Sequence, residues 1–297
     1  MAIKASQVKE LRQRSGAGMM DCKKALVEHD GDVEAALLYL QKKGMARAAK
    51  KAGRTAAEGL VATVISDDAS NGLIIEVNCE TDFVSRNDQF KAFVAEAASL
   101  AAASDAADID AFKATNHPDG LTIEDWAKAA VATIGENVQL RRLVRVGGEG
   151  KTIGSYIHAG SQIGVLVEVE GQGDAAGEFA RNVAMHVAAA NPTVVDPSEI
   201  DADAVKRQED IFTAQVIDMG KPANIAPKIV VGKLNKWRNE ISLLKQPYVK
   251  EPDQTVGAYQ KAVGGVKVTG FVRYQVGDGI EKAVSNLADE VAAITGG

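Results

Sequence analysis

The sequence predicts an α+β protein, and three observations support this fold class. Runs rich in β-branched residues, at 59–65 and 72–77, are separated by turn-forming residues, which is typical of antiparallel strand pairs. Apolar residues at spacings of three and four follow these runs and indicate a helix that covers a sheet. The same strand, strand and helix pattern then occurs a second time, which predicts an internal duplication.

Composition limits the classes of function. The chain has 297 residues, of which 46% are hydrophobic and 25% charged, so it can form two or three units with buried cores. Its net charge of −6 gives no strong field for phosphate backbones, and we expect no direct nucleic-acid partner. No run approaches the roughly 18 apolar residues that a membrane-spanning helix needs, and no signal-type apolar block opens the chain. Cys22 and Cys79 lie far apart without metal-ligand spacing, which suits reduced thiols. The sequence therefore predicts a cytoplasmic protein with no membrane contact.

Residues 1–55 predict a small helical module followed by a basic tether. Three short helices are indicated by apolar spacing, with Asp32 as the N-cap of the third and Gly44 at its end. Three helices in about 45 residues bury little area, so this unit resembles a binding module more than a catalytic domain. The basic residues between 42 and 54 allow two interpretations, a solvated tether or a contact for an acidic partner or RNA.

The next two segments form the predicted duplicated core, with an N-subdomain at 56–147 and a C-subdomain at 148–279. Residues 72–77 (GLIIEV) and 164–169 (GVLVEV) match in kind at every position. Each is preceded by another strand-like run and followed by a helical pattern. We therefore expect two similar antiparallel sheet-plus-helix units.

A helical hairpin is predicted within the second unit, at about 198–248. Two apolar stripes meet at a turn containing Gly220, which indicates two antiparallel helices that protrude as a coiled-coil arm. The stripes can pack within one chain or pair two chains, so self-association through the arm stays open. Pro227 either begins the second helix or kinks it. The two stripes of the hairpin consist of Phe212, Val216 and Met219, and of Val230, Leu234, Trp237 and Ile241.

An amphipathic C-terminal helix is expected in a module at 280–297.

The turn at 78–84 is the most unusual local feature. Asp82 and Phe83 follow the strand-like run 72–77, and the plain interpretation makes Phe83 a core residue and Asp82 a turn former. The second copy of the repeat has 171–174 (GQGD) at this place, so the fold itself does not require an aspartate and a phenylalanine there. We therefore expect this turn to serve a function of its own, with Thr81 and Val84 anchoring it. His158 also ends a predicted strand, although a lone histidine there is usually structural or solvated.

Motifs for chemical catalysis are missing from the sequence. It contains no phosphate-binding loop with a GxxxxGK[ST] pattern, no GxSxG nucleophile elbow and no HExxH metal pair. We therefore expect no enzyme. The one catalytic alternative is a thiol-dependent reaction at Cys79, which has no histidine near it in sequence.

Taken together, several motifs resemble those of the bacterial translation elongation factor Ts family over essentially the whole chain. This resemblance implies a guanine-nucleotide exchange factor for elongation factor Tu. It also implies a ubiquitin-associated-like N-terminal domain, a two-part core, a coiled-coil arm and a C-terminal module. The motifs are Leu11-Arg12, 15–26 (SGAGMMDCKKAL), 76–84 (EVNCETDFV), 134–137 (IGEN), 155–158 (SYIH), 163–167 (IGVLV), 221–222 (KP), 232–233 (GK), 246–248 (QPY) and 279–282 (GIEK).

The resemblance also assigns roles to individual residues. In the family, residues matching Asp82 and Phe83 enter the partner's G domain near the Mg²⁺ of its nucleotide, and the phenylalanine inserts between helices. The factor holds no cofactor itself and acts on the GDP and Mg²⁺ of its partner. A protein that binds the same partner as a chaperone-like scaffold, without exchanging nucleotide, is the alternative. The implied partner-binding residues are Thr81, Asp82, Phe83, Val84, His158, Arg12, Met19 and Met20.

Overall fold

The structure, a computed structural model, describes residues 3–158, 160–220, 222 and 224–281. It mixes helices with antiparallel sheets, which confirms the predicted α+β class. The C-terminal helix predicted within 280–297 lies, from residue 282 onward, outside the residues that the structure describes. None of the described helices is long and apolar enough to cross a membrane.

Three helices form the N-terminal part of the described chain. They are α1 (Ala5–Ser15), α2 (Met19–Glu28) and α3 (Val33–Lys51). Their shared core contains Leu11, Cys22 and Leu26. The predicted cap of α3 is confirmed, because the Asp32 carboxylate accepts hydrogen bonds from two backbone N–H groups in its first turn.

The prediction that Gly44 ends the third helix is wrong. Helix α3 continues to Lys51, so most of the expected basic tether is helical. A Cβ atom at Gly44 would lie 2.8 Å from the carbonyl oxygen of Ala129, in a helix of the following unit. The glycine therefore allows two helices to approach closely instead of stopping one of them.

The first sheet has the strand order β1–β2–β3 and is entirely antiparallel. Helices cover one face of it, and Phe90, Phe93 and Val94 pack there against Ile75 and Val77. The strands are β1 (Glu58–Ile65), β2 (Asn71–Cys79) and β3 (Gln139–Gly147). The helices between β2 and β3 are α4 (Asp82–Ser85), α5 (Asp88–Ala103), α6 (Ile109–Ala114) and α7 (Ile123–Ile134).

The second sheet has the order β4–β5–β8 and is also antiparallel. Its covering helix packs through Phe179 and Val183. The strands are β4 (Lys151–His158), β5 (Ile163–Glu170) and β8 (Lys267–Gln275). The covering helix is α8 (Asp174–Ala190), and a short strand pair, β6 (Pro247–Tyr248) and β7 (Glu251–Thr255), and α11 (Val256–Val263) complete this unit.

The two sheets repeat each other in detail, which confirms the predicted duplication. In both sheets the middle strand changes register by a bulge at the same place, between Glu76 and Val77 and between Glu168 and Val169. These positions are equivalent in the matched sequences 72–77 and 164–169. Val61, Ile74, Ile153, Leu166 and Tyr274 form an apolar layer between the sheets. The core is thus a sandwich of two sheets with helices on both outer faces.

A helical hairpin made of α9 (Ala202–Asp218) and α10 (Ala226–Ile241) is inserted before β6. Val216, Val230 and Leu234 are buried in its seam, as expected. Pro227 lies in the first turn of α10, so this proline begins the helix and causes no kink. Met219 does not belong to the seam, because its side chain is 58% exposed just after α9 ends.

Candidate functional site

The candidate site is the turn that follows β2, where the chain leaves the sheet and forms the single helical turn α4. Thr81 is the N-cap of α4, and its Oγ1 accepts a hydrogen bond from the Val84 N–H at 3.3 Å. Val84 is half-buried and packs against the core of the first sheet unit. Thr81 and Val84 therefore anchor the turn, as the sequence predicts.

Phe83 points away from this anchored turn. Its side chain is 81% exposed, more than any other large apolar side chain in the described part of the chain. The interpretation of Phe83 as a core residue is therefore wrong. Single exposed apolar residues are common on protein surfaces, but no other large apolar residue in the described part of the chain is exposed as fully as Phe83, so most of its ring is free to contact another molecule.

Asp82 lies beside Phe83 and is also accessible. Its carboxylate forms an ion pair with Arg86 at 3.0 Å, and about half of the Asp82 side chain stays exposed. Such surface pairs are worth little, because water and salt screen them. The carboxylate can therefore exchange Arg86 for a partner group at low cost. We call Asp82 and Phe83 the projecting pair.

Cys79, at the end of β2, is buried beneath the turn. Burial and the nearby charge of Glu136 raise the pKa of its thiol to about 12. The thiol therefore stays protonated at neutral pH, whereas a cysteine nucleophile needs the thiolate. This geometry argues against a thiol-dependent reaction at Cys79.

The N-terminal helices carry a second set of predicted residues. Arg12 is exposed on α1, and Met19 and Met20 at the start of α2 are 59% and 64% exposed. We call these three residues the N-terminal surface. Exposed methionines are adaptable apolar contacts. The loop between α1 and α2 packs against the last turn of α7, since a Cβ atom at Gly16 would lie 3.1 Å from Thr133 Cγ2.

A family model described as elongation factor TS matches residues 80–278. The elongation factor Ts of Thioalkalivibrio sulfidiphilus (strain HL-EbGR7) is 48% identical over 294 residues, which is 99% of this chain and 98% of the relative. That of Lacticaseibacillus casei (strain BL23) is 50% identical over 290 residues, 97% of each protein. A third, from Alkalilimnicola ehrlichii (strain ATCC BAA-1101 / DSM 17681 / MLHE-1), is 49% identical over 293 residues, 99% of this chain and 98% of the relative.

The chain belongs to the elongation factor Ts family. This membership confirms the resemblance predicted from the motifs and assigns the chain to translation elongation. The projecting pair and His158 lie within the segment that the elongation factor Ts model matches, whereas the N-terminal surface precedes it.

His158 lies in the second sheet unit, at the end of β4, and is exposed. Its Nδ1 is 3.1 Å from the Tyr156 hydroxyl. Both side chains line an apolar cavity of about 290 Å³ together with Met185 and Val249. In the described residues no hydrogen bond or ring contact joins His158 to the projecting pair. His158 and the projecting pair are thus two separate surfaces of this chain that could contact another molecule.

Glu136, which follows α7, is a site residue that we did not predict from the sequence. Its carboxylate accepts hydrogen bonds from Thr81 N at 2.9 Å and Thr81 Oγ1 at 2.6 Å. The two residues are 55 positions apart in the chain. Only the IGEN motif at 134–137, shared with the elongation factor Ts family, drew attention to this segment, and it gave no indication of its partner.

Proposed function

We propose that the protein is a guanine-nucleotide exchange factor. It binds elongation factor Tu in its GDP-bound form, disrupts the Mg²⁺ and phosphate site and promotes GDP release during elongation. The observation that carries this proposal is the 81% exposure of Phe83 on a turn held by Thr81, Val84 and Glu136. Family membership supplies the partner. The protein would act in the cytoplasm, where translation takes place.

The projecting pair suits this role by its chemistry. Burying the Phe83 ring between partner helices would contribute roughly 1.5–3 kcal/mol of apolar transfer free energy. The Asp82 carboxylate would compete for polar groups that otherwise hold Mg²⁺ and phosphate. The reaction needs no covalent step and no cofactor of the exchange factor itself, since GDP and Mg²⁺ belong to the partner.

The exchange follows from thermodynamic linkage. If the factor stabilises the nucleotide-free state of its partner, it weakens GDP binding, and bound GDP weakens the factor by the same ratio. Each 1.4 kcal/mol of this coupling changes affinity about tenfold. GTP in excess then occupies the empty site and displaces the factor.

The other predicted contacts extend the proposed interface. Arg12, Met19 and Met20 would bind a surface helix of the G domain, and their exposure supports this role. His158 would contribute a further contact from the second sheet unit. We propose no direct contact with nucleic acid. Self-association through the arm stays a separate hypothesis, which the oligomeric state in solution would test.

The proposed domain division follows the same family pattern. It comprises a ubiquitin-associated-like domain at 1–55, core subdomains at 56–147 and 148–279, and a C-terminal module at 280–297. The helical hairpin within about 198–248 would be the coiled-coil arm. The separate apolar cores of the N-terminal helices and of the two sheet units support this division.

Stopped-flow release of fluorescent GDP from the cognate elongation factor Tu tests the proposal. We expect Phe83→Ala to slow factor-stimulated release about tenfold or more, because it removes roughly 1.5–3 kcal/mol of interaction. Ile217→Ala is the matched control, since it truncates an exposed apolar side chain of the arm. Circular dichroism checks that both variants are folded.

The outcomes separate the two functions. Acceleration by the parent protein together with slow release for Phe83→Ala supports exchange through the projecting pair. A parent protein that binds the partner and leaves GDP release unchanged is a scaffold, and the proposal is then wrong. A folded Phe83→Ala variant that matches the parent rate removes Phe83 from the mechanism.

A further inference from the structure

Glu136 and Glu80 form a reciprocal pair that joins two turns. The Glu136 carboxylate accepts hydrogen bonds from Glu80 N and Thr81 N, both at 2.9 Å, and from Thr81 Oγ1 at 2.6 Å. In return, Glu80 Oε1 accepts a hydrogen bond from Asn137 N at 2.7 Å. Each glutamate thus satisfies the backbone of the other turn.

A third segment joins this pair, the one that follows α3. Arg54 Nη1 lies 3.3 Å from Glu80 Oε2, and Asn137 Nδ2 donates to the Arg54 carbonyl oxygen at 2.9 Å. Lys51 Nζ also donates to the Gly135 carbonyl oxygen. The turn after β2 is therefore connected both to the end of α7 and to the end of the N-terminal helices.

These contacts matter because α4 is too short to hold its own position. A single helical turn is not stable alone, since one or two hydrogen bonds do not compensate for the ordering of its backbone. Thr81 caps α4, so any shift of Thr81 moves Asp82 and Phe83 with it. Hydrogen bonds to a carboxylate are about twice as strong as those between neutral groups. Glu136 is the residue that supplies them here.

We propose that Glu136 is a positioning residue that holds the projecting pair in its binding conformation. The inference rests on the proposed exchange function and adds a residue that would act through its hydrogen bonds to Thr81. A pre-ordered turn loses less conformational entropy on binding than a mobile one. Without the Glu136 carboxylate, the N–H groups of Glu80 and Thr81 lose their acceptor and the turn relaxes.

Variants at position 136 test this inference through a graded effect on nucleotide exchange. We expect Glu136→Ala to lower factor-stimulated GDP release about tenfold, which corresponds to about 1.4 kcal/mol. Glu136→Gln keeps an oxygen that can accept from the backbone N–H groups, so it should retain part of the rate. Glu124→Ala is the control, because it removes an exposed carboxylate from α7, the helix that precedes Glu136, where Glu124 forms a surface ion pair with Lys128.

A double-mutant cycle separates positioning from general destabilisation. The measured quantity is the affinity for nucleotide-free elongation factor Tu, for Phe83→Ala and Glu136→Ala alone and combined. If Glu136 acts through Phe83, Glu136→Ala clearly lowers the affinity when it is made in the parent protein. When it is made in the Phe83→Ala variant, it lowers the affinity about twofold or less. If Glu136 serves only overall stability, the two effects multiply and thermal unfolding shifts accordingly, and the inference is wrong.

The result also distinguishes this inference from the proposed function. If Phe83→Ala exchanges nucleotide like the parent protein, the proposed function of the projecting pair fails. If Phe83→Ala is slow but Glu136→Ala matches the Glu124→Ala control, only the role of Glu136 is overturned.

Discussion

Glu76 is a fully buried carboxylate in the strand that leads to the projecting pair. Arg141 Nη1 lies 2.8 Å and Arg142 Nε 2.5 Å from its oxygens, and Asn78 Nδ2 and Gly277 N donate further hydrogen bonds at 3.0 and 2.9 Å. Burial alone would raise the pKa of Glu76, but these hydrogen bonds and charges outweigh it and lower the pKa. The carboxylate thus joins β2 to β3 and to the turn after β8.

We predict that Glu76→Gln destabilises the fold by about 3 kcal/mol, because removing one partner of a buried ion pair leaves the other charges uncompensated. Urea unfolding measures this change. Glu170→Gln is the control, since Glu170 pairs with Lys151 at the surface, where an ion pair contributes at most about 1 kcal/mol. Equal midpoints for the two variants would contradict the prediction.

The same residue predicts a pH dependence. Because the pKa of Glu76 is lowered in the folded state, its stabilisation is fully present above the unfolded pKa of about 4.3 and is lost as the pH falls through the folded value. The stability difference between the parent protein and Glu76→Gln should therefore shrink as the pH is lowered below about 4.3. A difference that stays constant down to the acid transition would assign the effect to packing.

At the residue scale, sequence reasoning identified the turn but not what supports it. Thr81–Val84 stand out in the sequence because the second repeat lacks these residues. The repeat and the family resemblance indicated that Asp82 and Phe83 project from the turn, but the hydrogen bonds of Thr81 to Glu136, 55 positions later, could not be predicted because no local pattern joins the two segments. A phenylalanine after an apolar strand is more often buried.

At the element scale, the error at Gly44 shows what local signals leave out. A glycine near the end of an apolar helical pattern is a common stop signal. Here its role depends on Ala129 in α7, 85 positions later, which no local window contains. By contrast, the Asp32 cap and the place of Pro227 in the first turn of α10 depend on neighbours within one helical turn, so both could be predicted from the sequence.

We predict that Gly44→Ala destabilises the protein by up to about 2 kcal/mol. The new methyl group overpacks the contact with Ala129, which costs about 1–3 kcal/mol, and the gain of about 1 kcal/mol in helix propensity offsets only part of this cost. Gly177→Ala in α8 is the matched control, because a Cβ atom there meets no atom within 4 Å. Chemical denaturation should show a lower unfolding midpoint for Gly44→Ala and a higher one for Gly177→Ala. A Gly44→Ala variant that is more stable than the parent protein would contradict the close packing of α3 on α7.

At the scale of the whole molecule, α7 connects the parts that the proposed interface uses. The loop between α1 and α2 packs against Thr133 in the last turn of α7, and Glu136 follows that turn and holds Thr81. The N-terminal surface and the projecting pair are therefore attached to the same helix end. Binding at the N-terminal surface would orient the partner, and the projecting pair would then act on its nucleotide site.

This arrangement predicts different effects for the two surfaces. If the N-terminal surface makes the same contacts in both states of the partner, Arg12→Ala should weaken binding to GDP-bound and nucleotide-free elongation factor Tu by the same factor. Phe83→Ala should mainly weaken binding to the nucleotide-free form, so that the ratio of the two affinities falls about tenfold. Titration calorimetry with both forms of the partner gives these ratios.

Lys9→Ala is the control for Arg12→Ala, since it removes an exposed charge from the same helix α1. It should leave both affinities within about fivefold of the parent values, because a lone surface charge contributes at most about 1 kcal/mol. By linkage, the ratio of the affinities for nucleotide-free and GDP-bound partner equals the factor by which the protein weakens GDP binding. A variant that lowers this affinity ratio therefore weakens GDP binding less, by the same factor. An Arg12→Ala variant that lowers the ratio as much as Phe83→Ala would mean that the N-terminal surface itself acts on the nucleotide site.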